Sequence, residues 1–152
     1  MSVEEENKAL VRRYVEEGYP AAMRGDLDVV HEYHADHYRT HTPVHTEHSG
    51  VQGTKELIAD SARAMPDLRL EVMHTAADGD MVFVHWRGTG THEQPHQVVK
   101  HLRDAEPTGE EETISGIHLY RIEGGKFVES WIYHNMLEYT QTRGSKAAAG
   151  TA

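Results

Sequence analysis

The hydrophobic period of this sequence changes once, and the change restricts the folds open to it. Before Pro66 apolar residues recur at helical spacing; after it they alternate. Ser2-Val3-Glu4-Glu5 forms a capping box ahead of a stripe of Leu10, Val11, Tyr14 and Val15. Arg24-Gly25-Asp26 closes that helix and opens a shorter one, with Leu27, Val30, His31 and His34 on one face, ending between Tyr33 and Asp36. Pro43 bars further helix there. Thr54 is the expected cap of a third helix that turns Leu57, Ile58, Ser61 and Ala62 inward and stops at Pro66. Leu68, Leu70 and Val72 then start a run of strands. Asp78-Gly79-Asp80 and Gly124-Gly125 serve as hairpin turns, and strands are expected over 81–92, 113–122 and 127–137. Residues 93–110 read as a long polar loop, and 140–152 as a flexible C-terminal tail after a single domain over 1–139.

Helices first and hairpin-linked strands afterwards make an α+β fold. The expected shape is a cone-shaped α+β barrel, with N-terminal helices packed on a strongly curved, mainly antiparallel sheet and a small-ligand pocket at its mouth. A length of 152 residues suits one such domain. The net charge of −10 argues against a nucleic-acid partner. The absence of cysteine removes thiolate chemistry, disulfides and Cys-ligated metal. No apolar run reaches membrane-span length and residues 1–6 are acidic rather than leader-like, so no membrane partner and a cytoplasmic location are expected. Thirteen histidines allow the surface charge to change strongly below neutral pH.

Seven short segments occur in order: Gly25-Asp26-Leu27-Asp28, His41-Thr42-Pro43, Met65-Pro66-Asp67-Leu68, Gly90-Thr91-His92, Pro107-Thr108-Gly109, Gly116-Ile117-His118-Leu119-Tyr120-Arg121 and Gly125-Lys126-Phe127-Val128-Glu129-Ser130-Trp131. Together, over roughly residues 7–138, they resemble the SnoaL-like polyketide cyclase family of the nuclear-transport-factor-2-like superfamily. The resemblance implies a cofactor-free pocket, a homodimer, and acid–base chemistry such as aldol-type cyclisation or isomerisation of a small carbonyl compound, polyketide-like in kind. His118 matches the family's catalytic histidine. The family's aspartate after the last-strand tryptophan is replaced by Ile132, its histidine before that tryptophan by Ser130, and a further aspartate by Asn135. Isoleucine can neither take nor give a proton, so the base has to move or the chemistry differs.

If His118 and Ile132 share a face, alternation adds Gly116, Tyr120, Ser130 and His134 to it. His118 and His134 are then candidates for trading a proton, helped by Tyr120 and by His92 and His41, which the resemblance puts near the pocket mouth. Satisfied core histidines are the competing reading. Trp86, Ser130, Ile132, Trp131 and Tyr33 are the candidate substrate contacts. Glu129 alternates onto the outer face. A second reading is a zinc or other divalent transition-metal site drawn from His41 and His45 of the histidine-rich stretch 31–48, together with His92. A third is a binding or dimerisation module without chemistry. The 93–110 loop, carrying Lys100 and Arg103, is either a lid for an anionic or carbonyl-bearing substrate or plain surface.

Overall fold

The computed structural model describes residues 1–41, 49–99 and 102–143. At the N-terminus the Ser2 hydroxyl accepts a hydrogen bond from the Glu5 N–H at 3.2 Å, opening helix α1 (Val3–Arg13). The helix widens into a π turn at Tyr14–Gly18 and resumes as α2 (Tyr19–Met23). Gly18 leaves room there for the Tyr33 ring, which would lie 2.6 Å from a Cβ at this position. Gly25, at φ 109°, reverses the chain into a 3-10 turn and the single-turn α3 (Val30–Tyr33). The shared face expected for His31 and His34 does not form. His31 is exposed, and His34 is buried as the first residue of a strand.

That strand, β1 (His34–His41), was not expected, because its sequence alternates no apolar residues. Helix α4 (Gly50–Ala64) starts earlier than Thr54, whose hydroxyl donates to the Gly50 carbonyl inside the helix. Strands β2 (Arg69–Asp78), β3 (Met81–Thr91), β4 (Glu111–Glu123) and β5 (Lys126–His134) follow. Gly79, Gly124 and Gly125 take the positive φ that the two tight turns need. The expected last strand stops short of Leu137. Asn135 makes a final ladder bond to Ser115, then its side chain accepts from the Glu138 N–H and caps α5 (Met136–Thr142).

The sheet order is β1-β5-β4-β3-β2, antiparallel except for the parallel β1–β5 pair. Its concave face packs on the N-terminal helices through Val11, Tyr14, Val30, Val82, Val84, Tyr120 and Phe127. Each such buried side chain contributes about 1.5–3 kcal/mol. A second cluster of Val99, Leu102 and Tyr139 closes the far end. Residues of both clusters line a cavity between them. No described helix is long and apolar enough to cross a membrane.

Candidate active site

The sheet wall of the cavity follows from strand register. Across β3, β4 and β5, Val84 pairs with His118 and His118 with Ile132; one row on, Trp86 pairs with Gly116 and Gly116 with His134. Alternation turns both rows to the concave side, so His118, His134, Tyr120, Ile132 and Trp86 all line the cavity. Gly116 makes the second row possible. A Cβ there would stand 2.9 Å from Trp86 Cζ2 and 2.5 Å from the Tyr133 carbonyl. The missing side chain lets the indole lie across the sheet, with His134 edge-on to it at 5.6 Å and 89°.

Trp86 Nε1–H donates to His118 Nδ1 at 2.7 Å. An indole nitrogen can only donate, so Nδ1 of the neutral ring carries no proton and Nε2 does. Burial, with smaller contributions from His134 and His34, pushes the His118 pKa down to about 3 and keeps the ring neutral. Below it, Tyr120 stacks at 5.5 Å on His118 and at 4.2 Å on Phe127. Burial, then neighbouring tyrosines, raises the Tyr120 hydroxyl well above the usual tyrosine pKa, so it remains a protonated donor.

Strand β1 and the loop after β3 add two imidazoles that the sequence did not mark as catalytic. His34 donates from Nδ1 to the Val30 carbonyl at 2.9 Å, and burial lowers its pKa to about 4. His96 lines the cavity and donates from Nδ1 to Asp60 Oδ2 at 3.2 Å. Asp60 is buried on α4, where burial alone would raise its pKa. Hydrogen bonds from His96, the Gln97 and Val98 N–H groups and Arg63 outweigh that and hold it well below the usual carboxylate range. Asp60 continues the interior face of Gly53, Leu57 and Ala64 at helical spacing. A charge in that stripe was the available signal; its partner, 36 residues away in a loop, was not legible.

Several selected residues lie elsewhere. Ser130 is buried behind the lining, bonded to Tyr38 Oη at 2.5 Å and Thr40 Oγ1 at 3.0 Å. Tyr33 belongs to the core, stacked on Phe127. Trp131 and His41 have the opposite parity on β5 and β1, on the outer sheet face; they stack at 5.1 Å, and His41 Nε2 donates to Glu129 at 2.7 Å. Glu129 is outward as expected, its pKa lowered by His41 and Arg121. His92 is wholly buried at the end of β3, its Nδ1 2.9 Å from Glu112, and sits behind His96. His41 and His92 are thus held by different partners, and His45 lies outside the described residues. Among the described residues no three His, Asp or Glu side chains converge as a metal site.

The loop of 92–98 is tied to α4. Glu93 and Gln94 donate to the Ala64 carbonyl, and Arg63 bonds Gln94 and the Pro95 carbonyl. Arg103 donates to the Gln97 carbonyl within the loop, while Lys100 lies outside the described residues.

A family model described as SnoaL-like polyketide cyclase matches residues 9–142. A proposed SnoaL-like polyketide cyclase from Jannaschia sp. CCS1 superposes with TM-score 0.74 at 23% identity, over 93% of this chain and 93% of that one. AclR, a proposed hydroxylase from Streptomyces galilaeus, gives 0.70 at 25% identity over 94% and 87%. IdmH, a proposed polyketide cyclase from Streptomyces antibioticus, gives 0.70 at 21% over 91% and 98%. No curated protein matches the chain.

Proposed function

The chain belongs to the SnoaL-like polyketide cyclase family, and from that premise we propose that it carries out cofactor-free acid–base ring closure or isomerisation on a small carbonyl compound. The observation that carries this is the Trp86–His118 hydrogen bond inside a mostly apolar cavity. With Nδ1 accepting from the indole, His118 has no lone pair to offer as a base. It presents Nε2–H to a carbonyl oxygen instead, and a neutral imidazole in that role stabilises an enolate. His118 therefore donates rather than trading a proton with His134. His134 and Tyr120 complete the polar part of the sheet wall, and Ile132 leaves that wall without a carboxylate.

The cavity volume is about 140 Å³. That is close to a cavity that takes up one benzene-sized ring. It favours a substrate whose reacting part is about one ring in size over one engulfed as a fused polycycle. The decisive experiment compares His118→Ala with the parent protein on a panel of enolisable ketones and triketones. Turnover should fall about 100-fold or more, while ligand affinity by tryptophan fluorescence changes far less. Equal losses in both would make the protein a binding module.

A second copy of the chain is the proposed partner of the outer sheet face. Phe83, Leu119 and Trp131 form one cross-strand row, and His85, Ile117 and Tyr133 the next. Phe83, Ile117 and Tyr133 are 43%, 44% and 59% exposed. An apolar sheet face of this kind is ordinarily covered. Sedimentation should show a dimer at micromolar concentration, broken by Tyr133→Lys; a monomer would overturn the assignment.

A further inference from the structure

We infer that His96, oriented by Asp60, is the general base of this site: it takes the proton from the carbon beside the carbonyl and returns it to the oxygen formed on ring closure. This rests on the reading of the cavity as an acid–base site.

The geometry comes from two directions. Asp60 has two donors on each carboxylate oxygen: the Gln97 N–H at 2.9 Å and Arg63 Nη2 at 2.7 Å on Oδ1, the Val98 N–H at 3.3 Å and His96 Nδ1 at 3.2 Å on Oδ2. A carboxylate so held is a fixed anion, and it commits the His96 proton to Nδ1. His96 Nε2 then bears the lone pair, and it has no hydrogen-bond partner among the described residues. The residue is 6% exposed and lines the cavity. The backbone that carries it is tethered to the last turn of α4 at the Ala64 carbonyl and through Arg63, so the imidazole is aimed by two elements. Among the described residues, the charged and titratable groups facing it are Asp60 and Arg63 from α4 and His92 from the end of β3.

The other cavity imidazoles fit the role less well. His118 has its proton on Nε2, for the reason given above. His34 donates to a backbone carbonyl, which offers no counter-charge to an imidazolium. His96 lines the cavity with a buried carboxylate behind it, in the arrangement that stabilises a ring when it takes up a proton.

The step balances without a further reactant. The C–H bond beside the carbonyl breaks, its proton goes to His96 Nε2, and its electron pair forms the enolate, whose oxygen accepts from His118 Nε2–H. The enolate carbon then bonds to a second carbonyl carbon within the same molecule. The electron pair released onto that oxygen takes the proton back from His96.

The probe is phenylacetone, a one-ring compound with a single ketone that can enolise but has no second carbonyl to close on. Exchange of its benzylic protons in D2O, followed by proton NMR, reports the base alone. The parent protein should catalyse exchange, and His96→Gln should lower it about 100-fold or more, with phenylacetone affinity within threefold. Asp60→Asn tests positioning. Its amide can donate to Nδ1 and move the ring proton to Nε2, which should be seen in the nitrogen-15 shifts of His96 together with a similar loss of exchange. If the parent exchanges and His96→Gln is unimpaired, the base is another residue while the acid–base reading stands. If the parent does not exchange, both fall. Should His96→Gln not fold, the nitrogen-15 spectrum of the parent decides: a His96 ring protonated on Nε2 alone overturns the assignment.

Discussion

The Trp86 indole N–H lies 2.7 Å from His118 Nδ1, across the gap left by Gly116. One hydrogen bond between neighbouring strands thereby sets which nitrogen of the central imidazole carries a proton.

Trp86→Phe should release that choice. The ring remains apolar and bulky, so ligand affinity should change little. His118 should become a mixture of tautomers in long-range nitrogen-15 spectra, and turnover should fall about tenfold or more. Unchanged spectra would show that the indole does not select the tautomer.

Gly116→Ala adds a methyl where Trp86 Cζ2 is 2.9 Å and the Tyr133 carbonyl 2.5 Å away. Because the second contact is backbone, the sheet itself must move. A loss of about 1–3 kcal/mol in urea unfolding is expected, with a blue- or red-shifted tryptophan emission as the indole is displaced. Wild-type stability would mean the strands separate freely at that row.

Stability should depend on pH through His34 and His118, whose pKa values are about 4 and about 3 in the fold. Unfolded histidine titrates near pH 6.5. Below that pH the unfolded chain binds protons that the folded chain refuses. The stability is therefore complete above about pH 6.5 and is lost as pH falls toward the folded values, by up to about 1.4 kcal/mol per pH unit for each ring. Urea midpoints at pH 7, 6 and 5 check this, and His118→Gln should flatten the dependence; a parent midpoint constant over that range would contradict it.

Glu112 is wholly buried and accepts from Tyr139 Oη at 2.9 Å, Thr108 Oγ1 at 3.1 Å and Arg143 Nε at 3.3 Å. Glu112→Gln leaves Arg143 without its counter-charge and should cost about 2–4 kcal/mol. Trypsin cleavage after Arg143 should quicken in the variant. Equal cleavage rates would show that α5 is held by its apolar contacts alone.

The antiparallel strands were legible because runs rich in Val, Phe and Trp, such as 82–86, lie between glycine turns at 79 and 124–125. The His118–His134 wall followed from alternation along β4 and β5. Strand β1 was not legible. Its run of His, Asp, Arg and Thr lacks a period, and its pairing with β5 joins residues about ninety positions apart. Helix α5 was hidden because Met136 and Leu137 extend the apolar strand before them, and the cap at Asn135 is local chemistry that alternation ignores. His41 was misplaced because resemblance indicated that its segment approaches the cavity without supplying the parity of its side chain. For Trp131 and Tyr33, aromatic character alone does not separate a cavity lining from the outer face or the core.

The bonds that pin residues 93–98 to the end of α4 have a bearing on discrimination among substrates. A wall fastened by Ala64 and Arg63 cannot swing out for a larger guest without breaking several contacts at once. Size would then act as a threshold: homologues one methylene too long should fail abruptly, where a yielding rim would grade them.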